Sequence, residues 1–420
     1  MQKFIINGGK PLKGVIEVGG YKNAAGPILA STLLTNEECI IDNLPLVADI
    51  LNLIELLKSI GVDIKWIGER KIKIKSGENV NPEKMDYSSV GKMRISVLLI
   101  GPLLARFKKF KIPRPGGDKI GLRSIDTHIN ALRKLGAKIY EKDDFYHFDA
   151  QNLQGREVIL NEFSVTATEN LMMAASLAEG TTIIKTAASE PQVQDTGKIL
   201  QNMGLDIQGV GTHTITIKGK KSLGGVCHSV VFDPLEAGTF IILAAATQSE
   251  IEIKNVIVNH LELFLEKLKE IGVNFEIKDN SVIVKPSQKL KAVKIQSLPF
   301  PGFPTDLQPM TAVLLTQAEG KSLIHDPLYE SRLGYMEELK RMNANVEVVD
   351  PHRAFIFGPT PLVANKITSL DIRAGATMVI AALIAKGKSE IYNIDQIDRG
   401  YEKIEEKLQK IGADIQRVDE

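Results

Sequence analysis

The chain has 420 residues, 44% of them hydrophobic, with 52 Lys and Arg against 51 Asp and Glu for a formal net charge of +1. That length implies about two domains rather than one core, and the apolar fraction excludes wholesale disorder. The charge balance excludes a global field for nucleic acid or a membrane surface, so an anionic ligand has to be met by a local cluster of cations.

At the start, Met1-Gln2-Lys3-Phe4-Ile5-Ile6 lacks the apolar core of a signal peptide. A buried helix is expected at Ile28–Leu34, because an element apolar on all faces belongs in a core. Cys39 follows, beside strand-like residues. With Cys227 as its only companion it gives no disulfide framework and fits a reduced, cytoplasmic setting. Next comes a helix rich in Leu, Ile and Lys that ends in Ile60-Gly61-Val62-Asp63-Ile64, where glycine suits the left-handed residue after a helix and a strand follows.

The same pair of helices then returns about every 70 residues. Ile95–Leu104 precedes Leu135-Gly136-Ala137-Lys138-Ile139, and Asn170–Ala178 precedes Met203-Gly204-Leu205-Asp206-Ile207. Phe240–Thr247 precedes Ile271-Gly272-Val273-Asn274-Phe275, and Met310–Ala318 precedes Met342-Asn343-Ala344-Asn345-Val346. Ala376–Ala385 precedes Ile411-Gly412-Ala413-Asp414-Ile415. These apolar runs are too short to span a bilayer, so no membrane insertion is expected. Each repeat reads as strand, buried helix, strand, covering helix, strand, and three repeats per domain would surround three buried helices. No linker separates the halves, so the boundary near residue 231 follows from counting repeats.

Polar residues gather where the buried helices begin. Lys22, Arg94, Thr166, Glu236, Asp306 and Arg373 stand at matching points of successive repeats. Helix N-termini favour anions and disfavour cations, so Lys and Arg placed there point to a ligand. Arg123, Arg332 and Arg399 recur before the covering helices. Glu319-Gly320-Lys321-Ser322 and Lys386-Gly387-Lys388-Ser389 lack the upstream glycine of a phosphate loop and read as turns after buried helices. The histidines show no zinc-ligand spacing, and no metal or cofactor is expected.

Seven phrases then carry a resemblance. Tyr21-Lys22-Asn23-Ala24-Ala25, Met93-Arg94, Pro115–Arg123, Phe303-Pro304-Thr305-Asp306, Glu330-Ser331-Arg332, Asp371-Ile372-Arg373 and Asp398-Arg399-Gly400-Tyr401 together resemble the UDP-N-acetylglucosamine 1-carboxyvinyltransferases of the EPSP synthase superfamily. The resemblance implies two inverted α/β domains, each an inside-out barrel of three repeated units about a pseudo-threefold axis. Residues 22–231 would form the first, with a mobile loop at 113–123, and residues 1–21 with 232–420 the second. It implies a cytoplasmic enzyme of peptidoglycan synthesis, cell shape and cell division. Phosphoenolpyruvate and UDP-N-acetylglucosamine would be its substrates, and nucleic acid would play no part.

On the same grounds Lys22, Asn23, Arg94, Arg123, Arg332, Arg373 and Arg399 would hold phosphoenolpyruvate. Asn23, Arg94, Asp126, Thr127, His128, Ser164, Val165, Asp306 and Leu328 would hold the UDP-sugar. Lys22, Asp118, Asp306 and Arg399 would serve catalysis, Asp306 beside the attacking hydroxyl and Asp118 as general acid. Asp118 replaces the cysteine usual in the Pro-Gly-Gly loop, which implies insensitivity to fosfomycin. Its ordinary pKa of about 3.9 requires that its proton arrive with the substrate. Ser124, Thr127 and Thr166 depart from the usual acceptor pocket and leave another nucleotide open as acceptor, while Asp118 leaves open a catalytically silent relative.

Overall fold

The computed structural model describes every residue except Met1, Lys92, Asp118, Lys119, Leu122 and Glu420. It divides into two compact units. One, here the terminal unit, comprises residues 1–19, 118–122 and 232–420; the other, the central unit, comprises 20–117 and 123–231.

Among the described residues each unit contains three small sheets, one per repeat. In the first repeat, Val226–Ser229 lies parallel to Glu38–Asp42, which pairs antiparallel with Lys71–Lys75, which in turn pairs with Asp63–Gly68. The same order, one parallel edge and two antiparallel pairings, recurs in four further sheets. A repeat thus runs edge strand, buried helix, parallel strand, covering helix and hairpin. The hairpin is one strand more than the repeat phrase suggests, because these strands are short and joined by tight turns such as Asp143-Asp144, both with positive φ.

The buried helices are Lys22–Ser31, Ile100–Phe107, Val165–Ala175, Pro234–Ala246, Gln308–Leu315 and Ile372–Ile384. Every residue of Pro234–Ala246 is buried, as its apolar run Phe240–Ala246 demands, and its polar Glu236 and Thr239 are hydrogen-bonded. Two glycines let the helices approach closely. A Cβ at Gly26 would collide with Ile95, and one at Gly238 with Leu307.

Five covering helices end at Gly61, Gly136, Gly204, Gly272 and Gly412, whose φ angles lie between 91° and 103°, and the sixth at Asn343 with φ 70°. Pro191–Asn202 departs from the covering role. It is buried along most of its length because it packs against both Lys22–Ser31 and Val165–Ala175.

The second repeat departs as well. Its sheet, Lys109–Pro113, Phe145–Asp149 and Lys138–Lys142, has three strands. The turns Pro82–Lys84 and Tyr87–Val90 stand by Lys109–Pro113, where the other repeats carry a parallel edge strand. They border a cavity of about 430 Å³ lined by Glu83, Tyr87, Lys109, Lys111, Tyr140 and His147. Cys39 and Cys227 lie on adjacent parallel strands but face opposite sides, the first buried and the second exposed. Burial pushes the Cys39 thiol up to about 11. No helix among the described residues is long and apolar enough to cross a membrane.

Candidate functional site

In the terminal unit the chemistry centres on Asp306. It lies in the 3-10 turn Thr305–Leu307 that opens the helix Gln308–Leu315. Asp371 caps the neighbouring helix Ile372–Ile384, its Oδ1 accepting from the amides of Arg373 at 2.7 Å and Ala374 at 2.9 Å. That cap fixes the backbone of Arg373, whose Nε donates to Asp306 Oδ2 at 3.0 Å. Arg332, from the turn Arg332–Gly334, donates through Nη2 to Asp306 Oδ1 at 2.6 Å. Both arginines are buried, at 3% and 5% exposure, whereas the Asp306 side chain is 27% exposed. A half-exposed carboxylate therefore rests on two buried guanidiniums.

Arg373 also donates through Nη1 to Tyr401 Oη at 3.0 Å. Burial works to lower the guanidinium, but Tyr401, Asp306 and Asp233 outweigh it and hold Arg373 above its ordinary range. Arg399 follows the short helix Asp395–Asp398 and donates to Gln396 Oε1 at 2.8 Å. Leu328 lies in the loop after Gly320–His325, its amide donating to Asp326 Oδ1 at 3.1 Å. Glu236 has a different task. It accepts from the Gly19 amide at 2.8 Å and pairs with Lys407 Nζ at 2.5 Å, fastening the chain where it leaves this unit.

In the central unit Lys22 opens its helix and pairs with Asp49 Oδ2 at 2.6 Å. Both side chains are buried, so the pair offsets a dipole-unfavourable cation at a helix start. Asn23 follows in the first turn, its Nδ2 3.4 Å from Tyr21 Oη. Arg94 begins a 3-10 segment, Arg94–Leu99, that passes into α-helix at Ile100. Buried Asn170 serves this junction. Its Oδ1 accepts from the Gly101 amide at 2.6 Å, and its Nδ2 donates to the carbonyls of Val97 at 2.9 Å and Thr166 at 3.0 Å.

Arg94 Nη2 donates to the Ser124 carbonyl at 3.1 Å. The Pro-Gly-Gly loop passes close by. A Cβ at Gly117, φ 121°, would stand 2.6 Å from Arg94 Cβ and 3.3 Å from Arg123 Nη1, so only glycine fits between the two. Asp118 lies outside the described residues.

The stretches expected to bind a nucleotide are tied to each other. Thr127 Oγ1 donates to Glu162 Oε1 at 2.9 Å, and His128 Nε2 shares a bond with Thr166 Oγ1 at 2.9 Å. Burial, with Arg94 nearby, pushes His128 down to about 3, so the imidazole is neutral. Ser124 Oγ donates to Asp126 Oδ2 at 2.6 Å. Ser164 and Val165 open the helix Val165–Ala175. Thr166, the departure from the expected glycine, has its hydroxyl engaged by His128. Among the described residues no three His, Cys, Asp or Glu side chains gather as a metal site.

The structure thus joins Asp306, Arg332 and Arg373 in one unit, and Arg94 and Arg123 beside Gly117 in the other. Reading the sequence missed Asp49, Glu162 and the partner role of Tyr401. It also missed a recurring device. Asn43, Asn255 and Asn393, all with positive φ, each follow a repeat's parallel strand. They donate to the carbonyls of Val230, Val18 and Ser369, just past the edge strands, at 2.8, 3.2 and 2.8 Å. Their spacing, in step with the helix starts, was the available signal.

The sequence profile of the EPSP synthase (3-phosphoshikimate 1-carboxyvinyltransferase) family matches residues 6–408. A UDP-N-acetylglucosamine 1-carboxyvinyltransferase 2 of Clostridium tetani is 42% identical over 418 residues, covering 100% of both chains. One of Carboxydothermus hydrogenoformans is 44% identical over 420 residues, again covering 100% of both. Among solved structures, the enolpyruvyl transferase NikO from Streptomyces tendae superposes with a TM-score of 0.90 at 23% identity over 99% of each chain. EPSP synthase from Acinetobacter baumannii gives 0.77 at 19% identity over 100% of each. This two-unit, inside-out α/β chain therefore belongs to the EPSP synthase family, and within it to the group of UDP-N-acetylglucosamine 1-carboxyvinyltransferases.

Proposed function

We propose that the protein transfers the carboxyvinyl group of phosphoenolpyruvate to the 3-hydroxyl of UDP-N-acetylglucosamine, the entry step of peptidoglycan synthesis, in the cytoplasm. The observation that carries this reading is the carboxylate of Asp306 held by Arg332 and Arg373 at a helix start, in a chain 42% identical along its whole length to a transferase of that name. Asp306 takes the proton of the acceptor hydroxyl while the acceptor oxygen bonds to C2 of phosphoenolpyruvate. Asp118 supplies the proton that C3 gains in the same step. The tetrahedral adduct then loses a C3 proton and its C2–O bond to phosphate, restoring the vinyl group.

Lys22, Arg94, Arg123 and Arg399 are assigned to the phosphate, and Arg332 and Arg373 to the carboxylate, because charge-assisted bonds to planar or compact cations suit both anions. Asn23, Asp126, Thr127, His128, Ser164, Val165 and Leu328 are assigned to the acceptor. The Thr166 hydroxyl bonded to His128 favours an acceptor pocket altered near Ser164 and Val165, so UMP or another nucleotide is the second acceptor to try.

Phosphate release from phosphoenolpyruvate, with and without UDP-N-acetylglucosamine, tests the reading. Release is expected to depend on that acceptor and to fall at least ~100-fold in Asp306→Ala and Asp118→Asn. Fosfomycin is expected to leave turnover intact, since Asp118 offers a carboxylate where a thiolate would be alkylated. Release with UMP alone would reassign the acceptor, and wild-type turnover in Asp118→Asn would remove its acid role.

A further inference from the structure

We infer that Tyr401 is a positioning residue for this reaction, its hydroxyl fixing the guanidinium plane of Arg373 and, through it, the carboxylate of Asp306. The inference rests on the enolpyruvyl-transfer reading above.

Counting hydrogens sets the direction of the chain of bonds. Thr239 has one hydroxyl hydrogen and donates it to the Leu235 carbonyl one turn back, at 2.8 Å. With that hydrogen so placed, its oxygen accepts from Tyr401, 2.8 Å away. That commits the single hydrogen of Tyr401, so the phenol oxygen faces Arg373 as an acceptor, receiving Nη1–H at 3.0 Å. The order Arg373 to Tyr401 to Thr239 to Leu235 gives each hydroxyl hydrogen an acceptor, and its first step is fixed because a guanidinium only donates.

The surroundings give this order weight. Tyr401 is 1% exposed and Thr239 fully buried, so water is not on hand to replace a lost partner. The Tyr401 ring also lies 5.3 Å from Arg373 Cζ, within reach of a cation–π contact. Arg373 is held at Nη1 by Tyr401 and at Nε by Asp306 Oδ2, and two anchors on a rigid planar group define its plane. Tyr401 sits two residues after Arg399, whereas Thr239 belongs to the helix Pro234–Ala246. The phenol thus ties the segment carrying one substrate cation to the other cation. Without the hydroxyl, Arg373 keeps its charge but loses the contact that aims it.

The test is steady-state phosphate release by Tyr401→Phe, with Thr239→Val as a second variant that removes the acceptor of the phenol proton while keeping the side-chain volume. Tyr401→Phe is expected to lower kcat by roughly ten- to a hundred-fold, with the KM for UDP-N-acetylglucosamine unchanged, and Thr239→Val to give a smaller loss of the same kind. In an Arg373→Lys background, where no planar fork remains to be aimed, Tyr401→Phe is expected to add no further loss. Full kcat in Tyr401→Phe and Thr239→Val, or the same fold-loss from Tyr401→Phe in the Arg373→Lys background, would overturn the inference and leave the proposed reaction standing. A wild-type enzyme that releases no phosphate with any nucleotide acceptor would overturn both.

Discussion

Two buried ionisable residues, one in each unit, respond to acid in opposite ways. Burial raises Asp233, the N-cap of the helix Pro234–Ala246, to about 6, ahead of the opposing pull of Arg373 and the push of Glu236. Its stabilising contribution is therefore complete below about pH 4, where the unfolded chain also holds the proton, and is lost as pH climbs through 6. The shift corresponds to about 3 kcal/mol. Asn keeps the cap without the charge, so Asp233→Asn is expected to be more stable than wild type at pH 8, with the gap closing by pH 4 in thermal unfolding.

His128 behaves conversely. Its folded value near 3 leaves its contribution intact above about 6.5 and removes it as pH falls toward 3. His128→Gln is expected to flatten that acid limb, read by urea midpoints at pH 4 and 7. At this scale the sequence disclosed Asp306 and its arginines because they sit in step with the repeat. It did not disclose that Tyr401 and Asp49 turn inward toward Arg373 and Lys22, since a lone phenol or carboxylate near a helix has no periodic signature.

Among secondary-structure elements, the helix ends offer a controlled comparison. Gly272 and Gly412 share nearly the same left-handed backbone, φ 91° and 96°. A Cβ at Gly412 meets nothing within 4 Å, whereas one at Gly272 comes 2.7 Å from the Lys289 carbonyl oxygen. Gly412→Ala should therefore cost only the backbone strain, about 1 kcal/mol, and Gly272→Ala distinctly more, as read by denaturant unfolding. Equal costs would mean that the loop at Lys289 yields freely.

The buried helices were legible because an element apolar on every side has one place to go. Apart from the turn at Gly209-Val210-Gly211, which reads as a hairpin, the hairpins were not, because short strands with polar tips resemble loops. Nor was the burial of Pro191–Asn202. Its polar residues Gln192, Asp195 and Thr196 suggest a surface, yet all three are buried. Asp195 has inward partners, His228 and the Val231 amide, while Thr196 bonds back to the Gln192 carbonyl one turn earlier in its own helix.

For the molecule as a whole, the first strand is an interior strand of its sheet. Gln2–Gly8 lies inside a sheet, between Gly387–Tyr392 and Asp414–Asp419, and Lys13–Glu17 supplies the edge of another. Removing residues 2–17 is expected to unfold the terminal unit, judged by loss of its cooperative transition. The repeat count anticipated six units and the resemblance grouped residues 1–21 with 232–420, but no pattern inside Gln2–Gly8 names its partner strands.

That closure has a consequence for how the chain could be rearranged. Five repeats join their last two strands by a turn; in the sixth, Asp419 and Gln2 stand opposite each other as antiparallel neighbours, their side chains bonded at 3.0 Å. The last sheet of the terminal unit is thus a hairpin whose turn is open. A short Asn-Gly linker from residue 419 to residue 2 would close that turn, and new ends could be opened at the exposed turn Lys220–Ser222. Such a circular permutant is expected to fold and to keep its turnover.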